Sequence, residues 1–340
     1  MADQIVVLDE SKMLGRINDL PTQLEKAWTN LWTKELGLDG TKFDRILIAG
    51  MGGSGIAGAL AKELFADTPL LIETWADYQL PGWVNEKTLV IAVSYSGDTE
   101  ETIDAAKTAI ERKATVAVIT TGGKLEELAK IHGLTLVKIE YPSSPREAIG
   151  WLYGSLLTLL AKLNLFPLKE DNYFQALKEL RETVAQHKLP EKAQELVLSL
   201  NNKIPMLVTQ PPLNPVARRW VTQFNENSKT FAVSFALPEL CHNTIAGLDF
   251  AVPEKLVVLF LESNYAFSRN ILRKKLVQKV FEAKEISFIP LSVRSGSPLA
   301  EQWLLIYFGD LLSYYLAGVY GIDPSPIETI NQLKEGLKKA

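Results

Sequence analysis

The 340-residue sequence has one cysteine, Cys241, and three histidines, His132, His187 and His242. A single thiol closes no intramolecular disulfide, and it excludes Cys-rich zinc or iron–sulfur chemistry. No two histidines stand at helical spacing and no dense carboxylate cluster joins them, so neither a metal nor another cofactor is expected. Long apolar runs are lacking as well. The most apolar stretch, Trp303 to Tyr320, contains Gly309 and Asp310 and reads as a buried helix, not a membrane span. The opening Met-Ala-Asp-Gln-Ile has no basic region followed by an apolar stretch, so no secretory signal is expected and a cytoplasmic location fits. Positive charge has no excess: 36 Lys and Arg stand against 40 Asp and Glu, a net charge of −4. The short Arg273-Lys274-Lys275 run reads as a solvated helix face, and no nucleic-acid or membrane partner is expected.

What is present is ordinary globular composition, 47% hydrophobic and 22% charged, in a chain long enough for two α/β domains. Short β-branched runs alternate with longer helical patterns, the signature of mostly parallel sheets flanked by helices. Strands are expected at Arg45–Ala49, Leu70–Glu73, Thr88–Val93, Thr115–Thr120 and Thr135–Ile139, then at Ile204–Thr209, Lys229–Ser234, Lys255–Leu261 and Ile286–Leu291. Helices are expected over Phe267–Ala283 and Leu299–Tyr320, and over Asp9 to Leu36 as one helix or two, with Pro21 suiting a second start. The helical stretch from about Pro145 to Asn201 is interrupted by Phe166-Pro167 and Leu189-Pro190, where proline stops a helix. The fold class is therefore α/β with two similar units. The expected division is 1–160 for N-terminal helices and the first unit, 161–202 for connecting helices, and 203–340 for the second unit with a C-terminal tail helix.

Chemistry concentrates at two loops. Strand Arg45–Ala49 runs into Gly50-Met51-Gly52-Gly53-Ser54-Gly55 and then into a helix, an arrangement that turns backbone N–H groups and a positive helix end toward an anion. Gly50, Gly52 and Gly55 also satisfy the dinucleotide fingerprint, with Glu73 about twenty residues on. A second loop argues against a dinucleotide. Strand Thr88–Val93 ends in Ser94-Tyr95-Ser96-Gly97-Asp98-Thr99-Glu100-Glu101-Thr102, which puts four hydroxyls at another helix start on the same sheet edge. Gly53, Ser54, Ser94, Ser96 and Thr99 are the candidate phosphate-binding residues, and a phosphate monoester suits them better than a pyrophosphate. The plain alternative is a turn with Thr99 or Asp98 as N-cap.

These motifs, Gly-Gly-Ser-Gly at 52–55 with the Ser/Thr run at 94–102, resemble the sugar isomerase (SIS) domain family. Ser144-Pro145-Arg146-Glu147-Ala148, Asn225-Glu226-Asn227-Ser228-Lys229 and Pro238-Glu239-Leu240-Cys241-His242-Asn243 are similar to the bifunctional phosphoglucose/phosphomannose isomerase branch. The resemblance implies a tandem SIS fold and interconversion of glucose 6-phosphate, with mannose 6-phosphate beside it, and fructose 6-phosphate. It also implies a phosphosugar substrate and a homodimer with the active site near the subunit interface. Two departures stand out. The family commonly has Asn where this chain has Cys241, and its C-terminal hydroxyl linked to acceptance of both epimers has Ser325 and Thr329 as candidates here.

Aldose–ketose isomerisation opens the sugar ring and moves a proton between C1 and C2 through a cis-enediolate. Glu226 is the expected base, placed near the end of a helix that starts at Pro215 with Asn214 as cap. A surface glutamate in a polar run is the alternative. His242 is the candidate for ring opening, since imidazole exchanges protons near neutral pH. Arg146 is the candidate for stabilising enediolate oxygens, against a plain surface charge in a first helical turn. Lys334 enters through the resemblance, against a solvated lysine of an amphipathic tail helix. His132 reads as a helix-terminal histidine before a glycine stop, and His187 as part of a charged helical surface. The rival functions are a noncatalytic phosphosugar sensor, an isomerase of another sugar phosphate and a nicotinamide-dependent oxidoreductase.

Overall fold

A computed structural model describes residues 5–186 and 188–339, so His187 lies outside the described residues. From the amino end, α1 (Met13–Asn18) and α2 (Leu20–Trp32) precede β1 (Arg45–Ala49), α3 (Gly52–Leu64), β2 (Leu71–Trp75), β3 (Thr88–Val93), α4 (Glu100–Glu111), β4 (Thr115–Thr120), α5 (Gly123–His132) and β5 (Thr135–Lys138). Helices α6 (Ile149–Lys162), α7 (Glu170–Ala185) and α8 (Lys188–Val197) lead to β6 (Ile204–Thr209), α9 (Asn214–Asn227), β7 (Val233–Ala236), β8 (Leu256–Leu261), α10 (Ser268–Ala283), β9 (Phe288–Leu291), α11 (Pro298–Val319) and α12 (Glu328–Lys339). Among the described residues, no helix is long and apolar enough to cross a membrane.

The chain forms two compact units. One is Asn18–Glu182 with Arg294–Trp303; the other takes the described residues of Met1–Ile17, Thr183–Val293 and Leu304–Ala340.

In the first of these, five parallel strands lie in the order β2-β1-β3-β4-β5. Every residue of β3 is buried, as expected for a parallel strand with both faces covered by helices. Between β1 and β3 the strand order reverses, and the register pairs Ala49 with Ala92, so these two strands end side by side. Crevices at such reversals, beyond the carboxyl ends of the strands, are where open α/β sheets take ligands.

The other unit repeats the plan with four parallel strands in the order β7-β6-β8-β9. Here α9 sets a polar stripe, Arg219, Gln223 and Asn227 at four-residue spacing, against α11. The Arg219 guanidinium donates to both carboxylate oxygens of Asp310, Nε to Oδ1 at 3.1 Å and Nη2 to Oδ2 at 2.6 Å, and Gln223 adds a bond to Oδ1 at 3.0 Å. Asn227 donates to Ser313 Oγ at 3.0 Å, which continues to the Asp310 carbonyl at 2.9 Å. The start of the chain packs here too. Asp9 accepts from the first N–H groups of α1 and from the Tyr314 hydroxyl, and the Ser11 and Ser325 hydroxyls pair.

All nine expected strands are found, most within a residue or two of their expected ends. β7 is displaced furthest, from Lys229–Ser234 to Val233–Ala236, because residues 228–230 finish α9 instead: Ser228 Oγ and Thr230 N return to the Phe224 carbonyl, and Lys229 turns the chain at φ +55°. Leu189-Pro190 lies in the first turn of α8, where proline's missing N–H leaves no ladder bond unmade. Asn214 is the first residue of α9 and Leu213 is its cap, one position from the expectation. Gly133, at φ +61°, stops α5 after His132 as the sequence suggests.

Candidate active site

The two loops at the β1 and β3 ends are joined. Ser54 Oγ accepts from Tyr95 N at 3.0 Å, and a Cβ on Gly50 would lie 2.7 Å from the Val93 carbonyl oxygen. Neither helix start uses a capping side chain. Met51 caps α3 with backbone alone, and Thr99, the N-cap of α4, points its hydroxyl 2.8 Å from Ser94 Oγ. Asp98 does not cap α4 either, since its carboxylate accepts from Lys124 N at 3.1 Å. A plain capped turn therefore does not describe this loop. First-turn N–H groups without side-chain caps, at two helix ends on one sheet edge, are donors of the kind that suit an anion.

The expected phosphate ligands differ in exposure. Ser94 is fully buried, taking the Gly97 N–H at 3.1 Å, and Ser54 is buried, so both shape the loops from inside. Ser96 is exposed, its hydroxyl accepting from Asp98 N at 3.3 Å, and Thr99 is half-buried with its hydroxyl on Ser94. Gly97 adopts φ +75°, and a Cβ there would sit 1.8 Å from the Gly122 carbonyl oxygen, so the tight approach of the neighbouring loop demands glycine. The fingerprint glutamate, Glu73, is held by Lys62 at 2.7 Å.

Arg146 joins this edge. It lies in a single 3-10 turn, Pro145–Glu147, and its backbone N is 3.2 Å from where a Gly53 Cβ would be, so glycine lets the turn close on the start of α3. Arg146 is 3% exposed, which sets aside the surface-charge alternative. The turn is held on both sides. Gln23 of α2, itself buried, donates to the Glu147 carbonyl at 2.9 Å and accepts from Gly150 N at 3.1 Å, and Ser144 Oγ reaches the Glu147 carboxylate at 2.9 Å.

Tyr95 fastens loop and turn together, and sequence reading passed over it as the spacer between two serines. Its hydroxyl donates to the Tyr141 carbonyl and accepts from Ser143 N at 3.0 Å, while its carbonyl takes both Thr121 N and Thr121 Oγ1. Only its partners, 46 and 48 residues ahead, reveal the role. Tyr95→Phe leaves two half-buried backbone groups short of a partner, a loss of roughly 1–2 kcal/mol. The expected result is a kcat/KM for sugar phosphate about tenfold lower and a melting temperature lowered by a few degrees, read by steady-state kinetics and calorimetry.

Glu226, His242 and Lys334 belong to the other unit. Glu226 is half-buried and next to last in α9, two residues after the fully buried Phe224 and directly before the buried Asn227, so its backbone is anchored on both sides. His242 is exposed and closes a 3-10 turn, Glu239–His242, that follows β7. The neighbouring Cys241 thiol is pushed up by burial, partly offset by the charge of Arg273. Lys334 is exposed on α12.

The equivalent loops of this unit are built differently. After β6 the chain reads Gln210-Pro211-Pro212, where two prolines remove N–H donors, and after β8 the Glu262 carboxylate stands paired with Lys274 at 2.7 Å. Among the described residues, no group of three or more His, Cys, Asp or Glu side chains is placed to hold a metal ion.

Comparison with known proteins finds two matching families along the chain. Residues 41–161 match the SIS domain family, and residues 190–337 match the family described as the bacterial phospho-glucose isomerase C-terminal SIS domain. A protein of Caldicellulosiruptor bescii named bifunctional phosphoglucose/phosphomannose isomerase is 34% identical over 338 residues, covering 96% of this chain and 98% of its own. A protein of the same name from Thermoplasma volcanium is 36% identical over 298 residues, covering 87% and 92%. Among solved structures, a hypothetical protein of Thermus thermophilus superposes with a TM-score of 0.75 at 18% identity, over 98% of this chain and 91% of its own, a likeness of fold.

Proposed function

Since the chain belongs to the bifunctional phosphoglucose/phosphomannose isomerase family, we propose that it interconverts glucose 6-phosphate, and mannose 6-phosphate beside it, with fructose 6-phosphate. The observation that carries this reading is the buried Arg146 against Gly53, beside two uncapped helix starts. A sensor needs only the phosphate grip. A guanidinium withdrawn from water next to that grip suits a reaction whose intermediate develops negative oxygens.

In this reading the phosphate monoester takes N–H groups from the α3 and α4 starts and hydroxyl bonds from Ser96 and Thr99, with Gly53, Ser54 and Ser94 holding the loops to shape. His242 protonates the ring oxygen and takes the C1 hydroxyl proton, giving the open chain. Glu226 then removes a proton from one of the two reacting carbons and returns it to the other, through a cis-enediolate whose charge Arg146 offsets. Lys334 adds positive charge for the bound anion. No redox partner is consumed, because one carbon is oxidised as its neighbour is reduced. The assembly that goes with this reading is a homodimer with its active site near the subunit interface.

The test is a coupled assay from fructose 6-phosphate that measures glucose 6-phosphate and mannose 6-phosphate separately, with and without a chelator. Formation of at least the glucose epimer, unchanged by chelation, is expected; absence of both products sinks the proposal. Ser96→Ala and Thr99→Val are each expected to raise KM about tenfold with a smaller change in kcat. Unchanged KM in both removes the anion-loop assignment.

A further inference from the structure

The ammonium of Lys229 sits where three main-chain carbonyls meet: Glu226 O at 2.7 Å, Pro324 O at 3.0 Å and Asn227 O at 3.3 Å. Two of these are the last carbonyls of α9, which lack partners within the helix, and a cation there also suits the negative end of the helix dipole. The third is 95 residues away, in the segment that leads into α12. That segment is fixed independently: Ser325 N donates to the Asp323 carboxylate at 2.8 Å, and the Ser325 hydroxyl pairs with Ser11. Lys229 reaches its partners by turning back on its own helix at φ +55°.

We infer that Lys229 is a positioning residue for the proton-transfer step: it fixes the backbone of Glu226 against the anchored Pro324 segment, so that the carboxylate is aimed as the reaction needs. The inference rests on Glu226 being the base. A carboxylate that serves two neighbouring carbons in turn tolerates little displacement, and about 1 Å of misplacement is enough to lower a rate a hundredfold. The polar stripe of Arg219, Gln223 and Asn227 sets α9 against α11, and Lys229 ties the carbonyls of its last turn to the Pro324 segment. The residues proposed to grip the phosphate belong to the other unit.

Lys229→Met and Lys229→Gln, measured beside Glu226→Gln, separate the possibilities. For the Lys229 variants the expected result is kcat lowered about tenfold, more for Met than for Gln, KM within about threefold of wild type, and a larger share of the migrating proton exchanged with solvent when isomerisation is run in deuterium oxide. If the methionine variant does not fold, the glutamine variant carries the same test, since its amide keeps two N–H donors. A kcat within twofold of wild type overturns the inference, as does a fall in kcat with no change in exchange. If Glu226→Gln keeps wild-type turnover, the base assignment itself fails, whatever the Lys229 variants do.

Discussion

Replacing Glu226 with glutamine is expected to lower isomerase turnover at least about a hundredfold and to leave the protein folded. The amide is nearly the same shape but accepts no proton from a sugar carbon, and general-base catalysis by a placed carboxylate is worth about 10²–10⁴ in rate. Stability should change little, because the side chain is half-buried and the anchors of its helix are elsewhere: Trp220 and Phe224 are fully buried, and the Trp220 indole N–H donates to the Leu305 carbonyl at 2.8 Å. KM should move much less than kcat, since the residues proposed to grip the phosphate belong to the other unit. The coupled assay reads both constants, and a variant with turnover within threefold of wild type would remove Glu226 from the chemistry.

The largest expected effect on stability comes from Asp310→Ala. Arg219 and Asp310 are both nearly inaccessible, with side chains 1% and 6% exposed, and their two bonds are the geometry a guanidinium and a carboxylate prefer. Removing the carboxylate leaves a cation buried and takes an acceptor from Gln223, a loss of roughly 3–5 kcal/mol. Replacing both partners, as Arg219→Met with Asp310→Leu, is expected to do far less harm, since no charge is then stranded. Urea denaturation of the two variants beside wild type makes the comparison. Equal destabilisation by the single and double replacements would show that the pair is worth more than the avoidance of a lone charge.

These two residues also mark where sequence reading stops. Short β-branched runs located every strand, because a strand buried on both faces must be apolar along its length, and the hydroxyl-rich loop was visible because its residues are consecutive. The partnership of Arg219 with Asp310 spans 91 residues, and that of Tyr95 with Ser143 spans 48, so no local pattern announces either. Gln23 is one polar residue in an amphipathic helix until α6 and the Arg146 turn are placed beside it. Arg146 was legible as a functional candidate, but its burial was not, since that depends on the absent side chain of Gly53. The start of β7 falls later than expected for a different reason: nothing in Asn227-Ser228-Lys229 signals that a lysine, not a glycine, makes the left-handed turn.

The interleaving of the two units carries a consequence for how the chain is made. Neither occupies a continuous stretch: one waits for residues 294–303, and the other needs Asp9 to meet Tyr314 of α11. During synthesis Asp9 and its neighbours therefore wait for their native partners until residue 314 has been made, and ribosome-bound fragments ending near residue 200 should be readily cleaved by protease. For the same reason, cutting the gene between the two sheets yields pieces that each lack part of their own interior.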